Sequence, residues 1–140
     1  MQDSQKLLLH QDLSRYERGW QRLLELDSQA GQRILDSLQT IAPDLATAII
    51  EFAFGDIYSR SGLDLKQRQL VTIASLVTLG DCEPQLEFHI NAALNVGLAP
   101  SEIVEALMNC VPFVGVPRVF NAFGVAKRIF LSRNVQREED

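Results

Sequence analysis

A cysteine and a histidine two helical turns apart mark the segment of this 140-residue chain that is best suited to chemistry. Pro84 predicts the first turn of a helix that ends at Gly97, and Cys82, Gln85 and His89 fall on one side of that helix. A half-buried imidazole transfers protons near neutral pH, and a helix N-terminus favours a thiolate over a thiol. The pattern predicts a proton-transfer site at His89 with Cys82 as a second catalytic candidate. The alternative is a packed histidine beside a small apolar thiol.

An arginine on the preceding helix is the second feature with chemical potential. The helix predicted over 64–80 is apolar around most of its circumference, so we expect other helices to surround it, yet Arg68 lies on it. An arginine removed from water must be paired, and its guanidinium N–H groups suit a carboxylate. Two partners are therefore predicted for Arg68: an internal carboxylate, with Asp56 the candidate, or an anionic ligand. Arg60 and Arg118 are candidates to join Arg68 at such an anion site.

Composition excludes several other functions. The net charge is −5 and no basic run is present, which argues against a nucleic-acid or anionic-membrane partner. The longest apolar stretch is too short to span a membrane, and the N-terminus lacks a signal-peptide pattern. Two histidines, two cysteines without a C-x-x-C pair and no glycine-rich phosphate loop predict neither a metal nor another cofactor. We therefore expect a cytoplasmic protein with reduced thiols.

Helix signals dominate the chain, and strand alternation is absent from the sequence. Helix starts are predicted at Ser14, where Glu17 completes a capping-box pattern, before Ile34, at Pro43, Asp64, Pro84 and Pro100, and after Pro117. The third helix is expected to end at Gly55, with a connection over 56–63, and the last helix at Ser132 with Phe120, Phe123 and Ile129 facing inward. The sequence thus predicts a single all-α domain of six to seven helices over 13–132. A flexible arm over 1–12 and a polar tail over 133–140 flank it.

Several short stretches, in order, resemble the carboxymuconolactone decarboxylase family, whose members are relatives of alkyl hydroperoxidase D. The matching stretches are 15–19 (RYERG), 54–63 (FGDIYSRSGL), 68–80, His89 with 92–94 and Gly97, 102–103, and 115–117 (GVP) with Asn121. They extend over almost the whole chain. The resemblance implies an all-α, alkyl hydroperoxidase D-like fold that assembles into trimers or hexamers, with active sites near the subunit contacts.

The resemblance favours the decarboxylase branch of the superfamily. The hydroperoxidase relatives carry a C-x-x-C pair ahead of a histidine, whereas this chain has Cys82 at the first position and Gln85 at the second. Their glutamate in the preceding helix corresponds to Leu70. A dithiol relay needs two thiols that can pair, so a peroxidase is the weaker expectation.

The resemblance implies a cofactor-free decarboxylase of a γ-carboxymuconolactone-like acidic lactone, in aromatic degradation of the β-ketoadipate type. His89 would donate the proton or stabilise the enolate, while Arg68, with Arg60 or Arg118, would hold carboxylate. Gln85, on the His89 side of its helix, is a further substrate-binding candidate. Two alternatives stay open: a thiol-dependent peroxidase that uses Cys82, and a helical ligand-binding protein without catalysis.

Overall fold

The computed structural model describes residues 13–135, and all regular structure among them is helical. The elements are α1 (Arg15–Leu26), α2 (Ala30–Leu38), α3 (Pro43–Ala48), a π-helix (Ile49–Ile57), α4 (Leu65–Leu79), α5 (Glu83–Asn95), α6 (Pro100–Val114) and α7 (Val116–Ser132). The predicted all-α class is confirmed for this part of the chain. The predicted arm over 1–12 and the end of the predicted tail, 136–140, lie outside the described residues. The chain divides into two compact units, Met1–Gly62 and Leu63–Asp140.

In the first unit, local signals set where α1 begins. The Ser14 hydroxyl accepts a hydrogen bond from the backbone N–H of Glu17 at 3.1 Å, and the same hydroxyl donates to the Glu17 carboxylate. This bond satisfies one of the N–H groups that a helix N-terminus leaves without an intrahelical partner. The predicted N-cap at Ser14 is confirmed.

The third helix begins at Pro43 as predicted, but it changes into a π-helix after Ala48 and continues to Ile57. The prediction that it ends at Gly55 was therefore short by two residues. Within this extension, the Asp56 carboxylate accepts three hydrogen bonds from Arg15, at 2.7, 3.0 and 3.1 Å, and lies 3.6 Å from Arg18. The hydrogen bonds from Arg15 hold the pKa of Asp56 below its ordinary range. The carboxylate proposed as the partner of Arg68 is thus bonded to arginines of its own unit.

Two glycines bring α1 and the π-helix into backbone contact. A Cβ atom added at Gly19 would overlap the carbonyl oxygen of Ile50, and one added at Gly55 would overlap the carbonyl oxygen of Arg15. Backbone atoms cannot turn aside as a flexible side chain can. Both positions therefore require glycine for this helix pair to pack at this distance.

The substitution G19A is expected to destabilise the first unit, by about 2–3 kcal/mol, because the two helices must move apart to admit the methyl group. The matched control is G124A on α7, where an added Cβ meets nothing within 4 Å. That change should be neutral or stabilising by up to about 1 kcal/mol, because alanine has the higher helix propensity. Urea denaturation followed by circular dichroism measures both, and equal effects of the two changes would contradict the packing argument.

In the second unit, α4 to α7 enclose one apolar core. Its largest fully buried side chains are Ile73, Ile90, Ile103, Leu107 and Val125. The start of α4 is fixed by a capping box, in which Asp64 accepts from the backbone of Gln67 and the Gln67 side chain accepts from the backbone of Asp64. Gly80, with φ +69°, ends the helix. The predicted boundaries of α4 are confirmed.

Two expectations about this unit were wrong. The apolar circumference of α4 is not fully covered, since Val71 and Leu79 are 57% and 69% exposed. Phe120 on α7, expected to face inward, is 73% exposed, whereas Ile129 is buried as expected. Separately, α6 contains Pro112 and continues to Val114, because a proline so close to the end of a helix removes little of its hydrogen bonding.

Candidate active site

His89 lies on α5 where that helix packs against α4. Its side chain is buried, and its Nδ1 atom lies 2.9 Å from Oε1 of Gln69 on α4. Gln69 is itself fully buried. The ring of Phe88 contacts the imidazole edge-on, with 4.7 Å between ring centroids. The imidazole is therefore buried, with the Gln69 amide and the Phe88 ring among its contacts.

Burial decides the charge of this imidazole. It lowers the pKa of His89 from its ordinary value of 6.5 to about 4, because the charged form loses its hydration. The ring is therefore neutral at pH 7. A glutamine Oε1 can only accept a hydrogen bond, so the single ring proton lies on Nδ1 and the lone pair on Nε2. In this state His89 can accept a proton at Nε2.

Cys82 is the N-cap residue of α5 and lies in a cavity of about 330 Å³. Its thiol is half-buried and donates to the carbonyl oxygen of Gly80 at 3.0 Å. The cavity wall combines apolar side chains from α4, α5 and α7 with a few polar groups. The polar lining residues are Asp81, Cys82, Glu83, Arg118 and Asn121. The predicted thiol thus faces a space large enough for a small molecule.

Arg118, on α7, lines the same cavity and bonds the end of α4. Its Nη1 group donates to the carbonyl oxygens of Thr78 and Leu79, the latter at 2.8 Å. These carbonyls belong to the last turn of α4, which has no further helical N–H to accept from. Arg118 therefore acts as a C-terminal cap of α4, a role that its position in the sequence did not suggest.

The remaining candidates differ in exposure and in the element that carries them. Arg68 is half-buried on α4 next to Gln69 in the sequence, Gln85 is exposed on α5, and Arg60 is exposed in the first unit. Cys82 and His89 are seven positions apart, which is about 10 Å along a helix axis. The described lining of the cavity includes neither His89 nor Arg68. The structure thus brings Cys82 together with Arg118, and His89 together with Gln69.

The sequence of the chain is similar to those of known proteins. A model of the carboxymuconolactone decarboxylase family matches residues 43–128. The chain is 33% identical over 129 residues to a 4-carboxymuconolactone decarboxylase of Acinetobacter baylyi, with 91% of this chain and 96% of the relative covered. The chain belongs to the carboxymuconolactone decarboxylase family. The resemblance found in the sequence is confirmed.

Two further proteins are similar in sequence to this chain. A nitrosuccinic acid decarboxylase of Metarhizium robertsii is 34% identical over 80 residues, which cover 57% of this chain and 55% of the relative. An uncharacterized 15.0 kDa protein of Paracoccus denitrificans is 27% identical over 124 residues, which cover 79% of this chain and 92% of the relative. Two of the three relatives named here are therefore decarboxylases by name.

The two thiols of this carboxymuconolactone decarboxylase family member differ in environment. Both are free cysteines; Cys82 is half-buried, whereas Cys110 is buried on α6 and donates to the carbonyl oxygen of Ala106. Burial raises the pKa of the Cys110 thiol, which keeps it protonated and unreactive. Of the two thiols, Cys82 alone is among the residues that line the cavity described above.

Gln69 is the residue of the His89 site that sequence analysis missed. A signal was present, since Gln69, Ile73 and Val77 follow one another at intervals of four and form the buried stripe of α4. A glutamine at a core position of an otherwise apolar stripe indicates a specific buried partner.

Among residues 13–135, no cluster of three or more histidine, cysteine, aspartate or glutamate side chains could hold a metal ion. Within the same range, no helix has both the length and the apolar character that a membrane crossing requires.

Proposed function

We propose that this family member is a carboxy-lyase that decarboxylates an acidic lactone of the γ-carboxymuconolactone type, without a cofactor. The observation that carries the proposal is the buried His89–Gln69 pair, in a chain 33% identical over most of its length to a protein named 4-carboxymuconolactone decarboxylase. The nitrosuccinic acid decarboxylase among the relatives supports the reaction class, although its name specifies a different acid.

The substrate class itself explains why no electron-accepting group is needed. The departing carboxylate is attached to a ring carbon that a carbon–carbon double bond conjugates with the lactone carbonyl. When the carbon–carboxylate bond breaks, carbon dioxide leaves and the electron pair moves into that carbonyl as an enolate. A proton then adds to a carbon of the enolate in the ring, which restores the neutral lactone. The protein must orient the substrate, exclude water from the departing carboxylate and supply one proton.

We assign the proton transfer to His89. In the free protein the ring is neutral, so it must first take a proton from solvent at Nε2. A bound dicarboxylate favours that uptake, because negative charge nearby raises the pKa of an imidazole. The imidazolium then gives the proton to the ring carbon and returns to its neutral form. Decarboxylation of a carboxylate consumes one proton per turnover, which this cycle supplies.

We propose Arg68 as the principal carboxylate ligand, because it is half-buried and precedes Gln69 on α4. Arg118 would contact a carboxylate only with the part of its guanidinium that does not bond the end of α4. Gln85, which is exposed, is proposed as a weaker contact. If one of these arginines binds the substrate carboxylate, changing it to glutamine should mainly raise KM and leave kcat less affected.

We propose that Cys82 packs against the cavity wall and takes no covalent part in the reaction. Its hydrogen bond to Gly80 supports a structural role. Treatment with iodoacetamide, which can reach a half-buried thiol, should modify Cys82 and leave most of the decarboxylase activity. Loss of activity that parallels the alkylation of Cys82 would assign the thiol to the catalytic site.

The test of the proposed function is the ultraviolet absorbance of carboxymuconolactone incubated with purified protein. Loss of the substrate absorbance together with release of carbon dioxide would support the proposal. Consumption of an organic hydroperoxide in the presence of a thiol, with no effect on the lactone, would replace it with the peroxidase alternative. A rise in the melting temperature on addition of dicarboxylates or lactones, without turnover, would favour a ligand-binding protein.

We further propose that the protein is a homo-oligomer, a trimer or a hexamer. Large apolar side chains on the helices of the second unit support this, since they are exposed in the single chain. They include Val71, Leu79, Met108, Phe113, Val116 and Phe120. Analytical ultracentrifugation measures the assembly, and a monomer at micromolar concentration would contradict the proposal.

A further inference from the structure

We propose that Gln69 is a positioning residue that fixes the tautomer of His89, so that Nε2 is the ring nitrogen that exchanges protons. This inference rests on the proposed function for its catalytic consequence. The tautomer itself is a property of the free protein and can be measured without substrate.

The contact between the two side chains has the geometry of a specific hydrogen bond. Oε1 of Gln69 lies 2.9 Å from Nδ1 of His89, and the two residues are 20 positions apart on different helices. Gln69 is 0% exposed and His89 is 9% exposed, so water competes little for this bond. A neutral imidazole must place its proton on the nitrogen that faces an acceptor. The Gln69 amide oxygen therefore selects the Nδ1–H form.

The amide nitrogen of Gln69 indicates that this residue does not serve the stability of the fold alone. Its Nε2 group is buried and has no hydrogen-bond partner among the described residues. A buried donor without a partner destabilises the folded state, whereas a methionine at this position would fill similar space without that penalty. A role in holding His89 accounts for a glutamine on the buried stripe of α4.

The tautomer determines how a proton would pass through the ring. With Nδ1–H bonded to Gln69, a solvent proton can bind only to the lone pair on Nε2. The resulting imidazolium then gives the Nε2 proton to the ring carbon, whose new C–H bond uses the electron pair left by the carboxylate. The ring returns to the Nδ1–H form with its bond to Gln69 unchanged. Without Gln69, the ring could hold its proton on Nε2 and would then offer the lone pair toward α4.

The experiment compares wild-type protein with the variants Q69M and Q69E by ¹⁵N NMR of the His89 ring. We expect a protonated Nδ1 in the wild type and a shift of the proton to Nε2 in Q69M, which lacks the acceptor. Q69E keeps an acceptor at the same reach and should retain a protonated Nδ1. The control Q21M makes the same substitution at an exposed position of α1 and should leave the ring signals unchanged. Circular dichroism establishes that each variant is folded.

Activity gives the second readout on the same proteins. Q69M should lose roughly tenfold or more in kcat while KM changes by less than about threefold, because proton transfer is impaired and carboxylate binding is not. Q69E should recover part of that loss, which a purely structural role would not predict. A shift of the tautomer in Q69M with unchanged kcat would overturn the positioning role.

The failure of this inference differs from the failure of the proposed function. A wild-type ring with its proton on Nε2, or a Q69M ring with its proton still on Nδ1, would overturn the inference whatever the activity. If Q69M behaves as expected in the NMR spectrum and wild-type protein leaves the lactone intact, the tautomer assignment is supported. The proposed reaction is then the part that fails.

Discussion

The substitution H89Q should lower kcat for the acidic lactone by roughly tenfold to a hundredfold, because glutamine cannot carry a proton to the ring carbon. Glutamine still offers polar atoms toward Gln69 on α4, so the packing of α4 against α5 should survive. KM should change less than kcat, since His89 is not assigned to carboxylate binding. Initial rates at several lactone concentrations, followed by ultraviolet absorbance, separate the two parameters.

The chain offers a direct comparison for this variant in its other histidine, His10. The variant H10Q removes an imidazole and leaves His89 in place, so its turnover should match that of the wild type. Near-normal turnover by H89Q would remove His89 from the mechanism. In that case the family membership would still hold, because it does not depend on the role of this residue.

The second large effect is a loss of stability in acid that is specific to His89. The unfolded chain protonates this histidine below about pH 6.5, whereas the folded protein does so only below about pH 4. Between these values the unfolded state binds more protons, so the free energy of unfolding falls as the pH is lowered. The full difference of about 2.5 pH units corresponds to about 3 kcal/mol. The loss should begin near pH 6.5 and be complete below pH 4.

Urea denaturation at pH 7, 5.5 and 4 measures this effect in the wild type and in H89Q. Carboxylates also titrate over this range, but they are common to both proteins and cancel in the difference. H89Q should therefore lose about 3 kcal/mol less than the wild type on passing from pH 7 to pH 4. If the free energy of unfolding falls by the same amount in both proteins, the pKa of His89 is not lowered in the folded protein and this prediction is wrong.

The family assignment concerns almost the whole chain, whereas the pH prediction concerns the protonation of a single residue, His89. The similarity to a decarboxylase extends over 91% of the chain and establishes the family. The low pKa of His89 places a condition on the mechanism, because a neutral imidazole can donate only after it has gained a proton. Substrate binding is the event that would supply the negative charge needed for that gain.

Much of the fold could be predicted because it is encoded in short segments. Ser14 and Asp64 cap the helices that follow them, and Pro43 lies in the first turn of its helix, as predicted. Gly80 and Gly97 adopt positive φ angles just beyond the ends of α4 and α5. These signals act between residues at most a few positions apart, so the linear sequence contains all their partners.

The sequence by itself therefore determined the helical class, most helix ends, the family, and His89 and Cys82 as the residues of interest. The tertiary structure alone decided which groups meet: Gln69 with His89, Arg118 with the end of α4, and Arg15 with Asp56. Each of these bonds joins residues 20 to 41 positions apart. Their partners depend on how one helix lies against another, and periodicity within a single helix carries no information about that register.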